Sequence, residues 1–172
     1  MTLEALSYIS QIASAVVIVA SLAAVYWQLQ QTNRIARAQI SQHVTANFSD
    51  SLRELMNPEL AAIFRKVMFE QTKLNPVETT QITIYFNLTV STLRDAFNAV
   101  RDGMIDERVL DSLSNNVCWY LTAPVFVQEW RRVQHVELYD PKFVAYVNAR
   151  FAKLYPDRDA TLLSPGVRGE RA

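Results

Sequence analysis

The sequence predicts an all-α fold: one N-terminal transmembrane helix continuing into a cytoplasmic helical bundle of about five further helices. Three observations carry this. Ala5 to Asn33 is 29 residues without a charge, centred on the apolar run IASAVVIVASLAAVYW (Ile12 to Trp27). Three times afterwards a capping side chain precedes a proline, at Asn57-Pro58, Asn75-Pro76 and Asp140-Pro141. Only 3 glycines occur, all after residue 102, and no strand-like alternation persists. These features disfavour turn-rich β folds and any glycine loop that cradles phosphate.

The anchor comes first in the chain. A hydrocarbon core about 30 Å thick needs about 20 helical residues. Tyr8 to Trp27 is 19 steps, about 28 Å at 1.5 Å per residue. Tyr8 at one end and Tyr26 and Trp27 at the other suit the interfacial belts that amphipathic rings occupy. Gln28, Gln30, Gln31, Thr32 and Asn33 then form a polar collar ahead of Arg34 and Arg37. A signal peptide wants a basic start and a small-residue cleavage site. Here the start is MTLE and the apolar run ends in aromatics. A buried core helix is the other reading, since Ser10, Gln11, Ser14 and Ser21 dilute the hydrophobicity. All 17 Lys and Arg follow residue 33. The positive-inside rule therefore places the C-terminal side in the cytoplasm and the short N-terminus outside.

The span also carries a pattern. Ser10, Ser14, Val17, Ser21, Ala24 and Gln28 fall at steps of 4, 3, 4, 3 and 4, which puts them on one helix face. Ile12, Val16, Val19 and Ala23 make a bulkier opposite face. Small and hydroxyl residues let membrane helices approach and bond across. This face is the expected packing seam, to a second copy or to another membrane protein. Chance alignment of common Ser and Ala residues explains it equally well.

Residues 34–155 read as the cytoplasmic domain, and 1–33 as anchor and collar. The part after the anchor holds 17 Lys and Arg against 16 acids (17 in the chain minus Glu4). No basic stripe marks it as a nucleic-acid binder. Cys118 is the only cysteine, so no disulfide framework or CxxC pair exists.

Arg34 to Met56 holds no breaker, so the first helix is expected to run on through it. Ile40, Val44, Phe48, Leu52 and Met56 recur every four residues as its apolar stripe. Proline suits the first helical position, and the preceding Asn or Asp accepts a free N–H. The second helix thus starts at Pro58 and is expected to reach about Lys73, with Leu60, Ile63, Phe64, Val67 and Met68 inward. The third spans Pro76 to about Arg101. Ile82, Phe86, Val90, Leu93, Phe97 and Val100 form its stripe, widened by Ile84, Tyr85 and Leu88, which makes it the central helix. Gly103 closes it. Asp106 caps a fourth, with Val109, Leu110, Leu113, Val117 and Tyr120 inward. Ala123-Pro124 opens a fifth, with Phe126, Trp130 and Val133. Asp140 opens a sixth, with Phe143, Val144, Val147, Phe151 and Leu154. Proline, glycine and charge in residues 156–172 suggest a disordered tail.

Candidate chemistry is sparse, and neither a catalytic residue nor a cofactor site is expected. His43 and His135 lie far apart without an HxxxH or HExxH frame, so a structural role outweighs a metal site. Asp95, Asp102, Asp106, Glu107 and Asp111 interleave with Arg94, Arg101 and Arg108, which reads as a salt-bridged, solvated face. Cys118 in NNVCWYL reads as a small buried hydrophobe. Trp119, Tyr120, Phe126 and Trp130 with Arg131 and Arg132 could line a ligand site, yet an aromatic core explains them better. Arg65, Lys66, Arg131 and Arg132 would meet anionic lipid if they faced the membrane. The sequon Asn87-Leu88-Thr89 falls inside an expected cytoplasmic helix and is discounted.

Four stretches, SLAAVYWQLQQTNRIARAQ (Ser21 to Gln39), NPELAAIFRKV (Asn57 to Val67), FNAVRDGMIDERVLDSL (Phe97 to Leu113) and EWRRVQHVELYDPKFVAYVNARF (Glu129 to Phe151), together resemble a family of uncharacterised bacterial proteins. In that family a single N-terminal span leads into a Gln/Asn/Thr/Arg collar and a small helical domain. Gln30 and Gln31 stand here where the family commonly has a basic residue. The resemblance implies a bacterial source and the layout read above, and with it the expected location is the inner membrane, single-pass. It implies no activity, cofactor or catalytic residue. The leading expectation is a non-catalytic, membrane-anchored interaction or accessory subunit. Its partners would be membrane lipid and a second membrane protein or copy met through the anchor. The alternative is a membrane-tethered signalling or ligand- or lipid-binding module with a pocket near Tyr85, Trp119 and Trp130. An enzyme ranks third, because no positioned acid, base or nucleophile is evident.

Overall fold

The computed structural model describes the backbone of residues 3–158 and 163, and the side chains from Gln11 onward except Ile12. Among the described residues it is all-helical, with no strand, as expected. In order come α1 (Leu3–Glu54), α2 (Pro58–Arg65), a π-helical turn (Lys66–Glu70), α3 (Pro76–Arg101), α4 (Glu107–Tyr120), α5 (Pro124–His135) and α6 (Pro141–Leu154). The chain divides into two compact units, Met1–Gln39 and Ile40–Ala172.

Among the described residues the first unit is the part of helix α1 up to Gln39. Every side chain from Ala13 to Ile35 is exposed, including Val16, Ile18, Leu22 and Trp27 at 59–71%. The helix is long and apolar enough to cross a membrane. A helix suits that task because each backbone polar group can bond within its own segment.

In the second unit the helix starts obey the expected chemistry. Asn57 Oδ1 accepts from Glu59 N at 2.9 Å, Asp106 Oδ1 from Arg108 N at 2.8 Å, and Asp140 Oδ1 from Lys142 N at 2.7 Å. Asn75 does more. Its Oδ1 accepts from Glu78 N while Glu78 Oε2 accepts from Asn75 N, both at 2.9 Å, a reciprocal capping box. Only the Ala123 start has no side-chain cap among these five. Gly103 closes α3 at φ 67, where Met104 N donates to Ala99 O and Gly103 N to Val100 O. That is the left-handed helix ending glycine favours. Glu137 repeats it after α5 at φ 53, with Leu138 N donating to Val133 O.

The core gathers the expected stripes. Ile63, Phe64 and Val67 are buried from α2 and the π turn; Ile82, Phe86, Val90 and Leu93 from α3; and Leu110, Leu113, Val117 and Tyr120 from α4. Phe126, Trp130 and Val133 are buried from α5, and Phe143, Val147 and Phe151 from α6. Helix α3 packs against α2, α4 and α5, the central position expected of it, and α4 packs against α6. Phe86 and Phe126 stack with ring centroids 4.9 Å apart. Full burial of each such ring contributes up to about 3 kcal/mol.

Several expected core positions lie elsewhere. On α1 Val44 is buried, but Leu52 and Met56 are exposed at 40% and 80%. A strict four-residue repeat turns about 400° per step on a helix of 3.6 residues per turn, so the stripe drifts about 40° each time. By Leu52 it has left the core, and Ser51 and Leu55 hold the inner face instead. Ile84, Leu88 and Leu154 are exposed too. On α3 the inner face is filled by Thr89, Thr92 and Ala96. The threonines tolerate burial because their hydroxyls bond one turn back, to Tyr85 O at 3.0 Å and Leu88 O at 3.2 Å.

The second helix also ends earlier than the expected Lys73. After Arg65 the ladder slips by one residue into the π turn, and Gln71 takes φ 49 with its N–H on Lys66 O. The residues from Gln71 to Asn75 then run free of helix into the Asn75 cap. Proline disfavours helical backbone before it, and the capping box fixes Asn75 as extended. The expected disordered tail, 156–172, lies outside the described residues at 159–162 and 164–172. Leu163, within it, is fully buried, and its carbonyl accepts from Gln134 Nε2 at 2.7 Å.

Candidate functional site

The residues expected to form the anchor lie open on the surface of the first unit. Ser14, Val17, Ser21, Ala24 and Gln28 are exposed on α1, as are Tyr26, Trp27, Arg34 and Arg37. The side chains of Ser10 and Tyr8 lie outside the described residues. Helical spacing places Ser14, Val17, Ser21, Ala24 and Gln28 on one face. Ser21 Oγ donates to Val17 O at 2.8 Å, and Thr32 Oγ1 to Gln28 O at 2.9 Å. These hydroxyls are thus satisfied within the helix, which suits an apolar solvent. Their oxygens still hold acceptor capacity for a neighbour. Gln30 Nε2 donates to the Tyr26 hydroxyl at 2.7 Å, so the collar begins to satisfy itself at the aromatic belt.

In the second unit the expected aromatic cluster is mostly core. Tyr120, Phe126 and Trp130 are buried to within 1%, whereas Trp119 is 38% exposed. Trp119 sits 5.9 Å from the Phe64 ring and 6.3 Å from that of Phe69. Phe69 is itself exposed, on the π turn. Trp130 donates through Nε1 to Asn148 Oδ1 at 2.9 Å, and the Tyr85 and Tyr120 hydroxyls meet at 3.1 Å. Tyr85, Trp119 and Trp130 therefore do not open on one pocket: Tyr85 and Trp130 point into packed interior. Burial pushes the Tyr85 and Tyr120 hydroxyls up from their ordinary value and the Cys118 thiol up to about 12. A thiol held protonated and enclosed is a poor nucleophile.

The interleaved charges make the expected ion-paired face. Arg94 pairs with Asp95 at 2.9 Å, Arg101 with Asp102 at 3.7 Å and Asp140 at 3.9 Å, Arg108 with Asp106 at 3.9 Å, and Arg150 with Asp111 at 3.1 Å. Most are well exposed, so each contributes little. His43 faces Asn47 Nδ2 at 3.2 Å and is exposed, and His135 ends α5. Among the described residues no three His, Cys, Asp or Glu side chains group as metal ligands. Arg65 pairs with Glu70 at 3.0 Å and Lys66 with Glu78, so both cations are already partnered.

One buried polar cluster has no counterpart in the sequence reading. Glu129 is 7% exposed in the middle of α5. Arg132 donates to both its oxygens, Nε to Oε2 at 2.7 Å and a terminal nitrogen to Oε1 at 2.6 Å. Asn87 on α3 donates through Nδ2 to Oε1 at 2.6 Å. Desolvation raises the Glu129 carboxyl, but the Arg132 and Asn87 hydrogen bonds outweigh it and hold it below the ordinary value. The same pairing holds Arg132 higher. The cluster ties α3 to α5 and presents no open position to a substrate. Its signal in the sequence was Glu129 at i+3 from Phe126 and i−4 from Val133, on the apolar stripe, with an arginine three residues on.

No protein-family model matches the chain, and no curated protein or solved structure does.

Proposed function

We propose that this chain is a non-catalytic, membrane-anchored interaction or accessory subunit of a bacterial inner-membrane assembly. Helix α1 spans the bilayer, with the N-terminus outside and the helical unit in the cytoplasm. The observation that carries the reading is the unbroken exposure of apolar side chains from Ala13 to Leu29. Exposed apolar surface on that scale marks a membrane or protein contact. Lipid covers most of it, and a second membrane protein or copy packs on the Ser14–Ser21 face. The aromatic Tyr26 and Trp27 followed by Arg34 and Arg37 support the orientation.

The test is direct. The full chain should stay in the membrane pellet through alkaline carbonate washing and leave it only with detergent. A cysteine placed near the N-terminus should be labelled by an impermeant maleimide in intact cells, and one at Met104 only after lysis. Release by carbonate, or labelling at Met104 in intact cells, refutes the reading. Leucine at Ser14 and Ser21 together should lower self- or partner association in a membrane two-hybrid assay.

A second reading, a module that binds an anionic ligand, draws on a cavity of about 250 Å³ lined by Leu121, Val127, Phe151 and Leu163 with Arg131 and Arg158. Thermal stabilisation by a single-chain anionic lipid, but not by its neutral analogue, would favour it.

A further inference from the structure

The interaction reading leaves open where on the second unit a partner would sit. One groove of that unit is distinguished by its charge. It lies where the end of α1 and the starts of α2 and α3 meet, and encloses about 310 Å³. Leu60 and Ile84 give it an apolar floor over the buried Tyr85, and Glu54 and Glu59 line it with carboxylate oxygen. Ile84 is 55% exposed, and Leu88, one turn on along the same face of α3, is 49% exposed.

Neither carboxylate is neutralised. Glu54 and Glu59 have no ion-pair partner among the described residues, as Glu107 and Glu137 have none, whereas Asp50, Glu70, Glu78, Asp95 and Glu129 each have one. Gln81 turns its Nε2 to Glu59 Oε1 at 3.5 Å, while its own Oε1 is buried without a partner. The groove thus offers two carboxylates without ion pairs beside the exposed aliphatic surface of Ile84. That is complementary to a cation on an apolar stem, as lysine and arginine present when they lie along hydrophobic surface.

Resting on the interaction-subunit reading, we infer that this groove docks a basic amphipathic segment of a partner protein. A Lys or Arg of the partner enters the groove and pairs with Glu54 and Glu59. Its apolar neighbours cover Ile84 and Leu88. The buried Glu129 cluster and the paired Arg65 and Lys66 offer no comparable surface, because their charges are already answered within the chain.

The experiment uses the full chain in native membranes, with photoreactive p-benzoylphenylalanine at Leu88, and separately at Val136 and Ser21. Adducts are sequenced by mass spectrometry. The expected result is a Leu88 adduct to a peptide that carries Lys or Arg within a helical turn of apolar residues. Its yield should fall about five- to tenfold in E54Q/E59Q, as two partly exposed ion pairs are lost together. Both sites are exposed, so that variant should keep its thermal midpoint; I84S, which removes apolar surface alone, should also lower the yield. A lipid adduct, a peptide without a cation, a yield unchanged in E54Q/E59Q, or silence at Leu88 overturns the inference. Silence at Leu88 with adducts from Ser21 or Val136 sinks the groove and leaves the interaction reading standing. Silence at all three sites sinks both.

Discussion

Arg132→Ala removes one member of the buried cluster and should destabilise the second unit in a pH-dependent way. Two charge-assisted hydrogen bonds of 2.6 and 2.7 Å are lost, and Glu129 keeps only Asn87. Such bonds contribute about 1.5–3 kcal/mol each. The Arg132 side chain is 58% exposed, however, and solvent screens its share. A net cost of about 2 kcal/mol at pH 7 follows, or about 6–8 °C in midpoint for a unit of this size. The sign of the pH effect differs between the two proteins. In the parent, Glu129 is held below the ordinary 4.5, so its contribution is present above that value and is lost as pH falls through the folded-state value. In R132A desolvation dominates and the carboxyl rises, so the unpaired charge penalises folding at pH 7 and is relieved by protonation on acidification. The difference between the two proteins should therefore shrink from pH 7 to about pH 4. Near-ultraviolet circular dichroism melts in nonionic detergent measure it. An equal difference at both pH values would refute the argument.

Three further outcomes follow from local geometry. Asn75→Ala removes the Oδ1 half of the α3 capping box, while Glu78 Oε2 can still accept from the backbone N–H of residue 75, and should lower stability by about 1 kcal/mol in urea titration, much as Asn57→Ala should. Glu137→Gly relieves a left-handed backbone and an acid at a helix C-terminus, and should raise stability by about 0.5–1 kcal/mol. Cys118, buried and with its thiol pushed up to about 12, should resist iodoacetamide at pH 8 in the folded chain and react once unfolded; rapid native labelling would contradict the packing around it.

The helix starts were legible because their causes are local. Asn57, Asn75, Asp106 and Asp140 each need only a side-chain oxygen and a nearby N–H. The core stripes were legible where the spacing mixes threes and fours, as from Ile82 to Val100, because that spacing stays on one face. They misled where a repeat of four was followed too far, as at Leu52 and Met56. The π turn could not be read from RKVMFEQTK. Val67 is buried there and the Phe69 ring lies 6.3 Å from that of Trp119, contacts that only the fold supplies. Glu129 and its partner Asn87 are 42 residues apart, and only the fold brings the amide to the carboxylate. On the candidate surface, the anchor's exposed character was plain from composition. The unanswered charges of Glu54 and Glu59 were not, since they depend on which acids elsewhere find partners.

The buried Leu163 has a practical corollary. Its carbonyl is held by Gln134 Nε2, Gln134 Oε1 lies 3.5 Å from Asn148 Nδ2, and Asn148 in turn receives the Trp130 indole. The polar relay thus ends beyond the last helix, nine positions after Leu154. A fragment cut at Tyr155, where periodicity stops, would leave the Gln134 amide only its longer 3.2 Å bond to Trp130 O and the Phe151 side of the core uncovered. Anyone trimming the second unit for solution work should keep residue 163 and place tags well downstream of it.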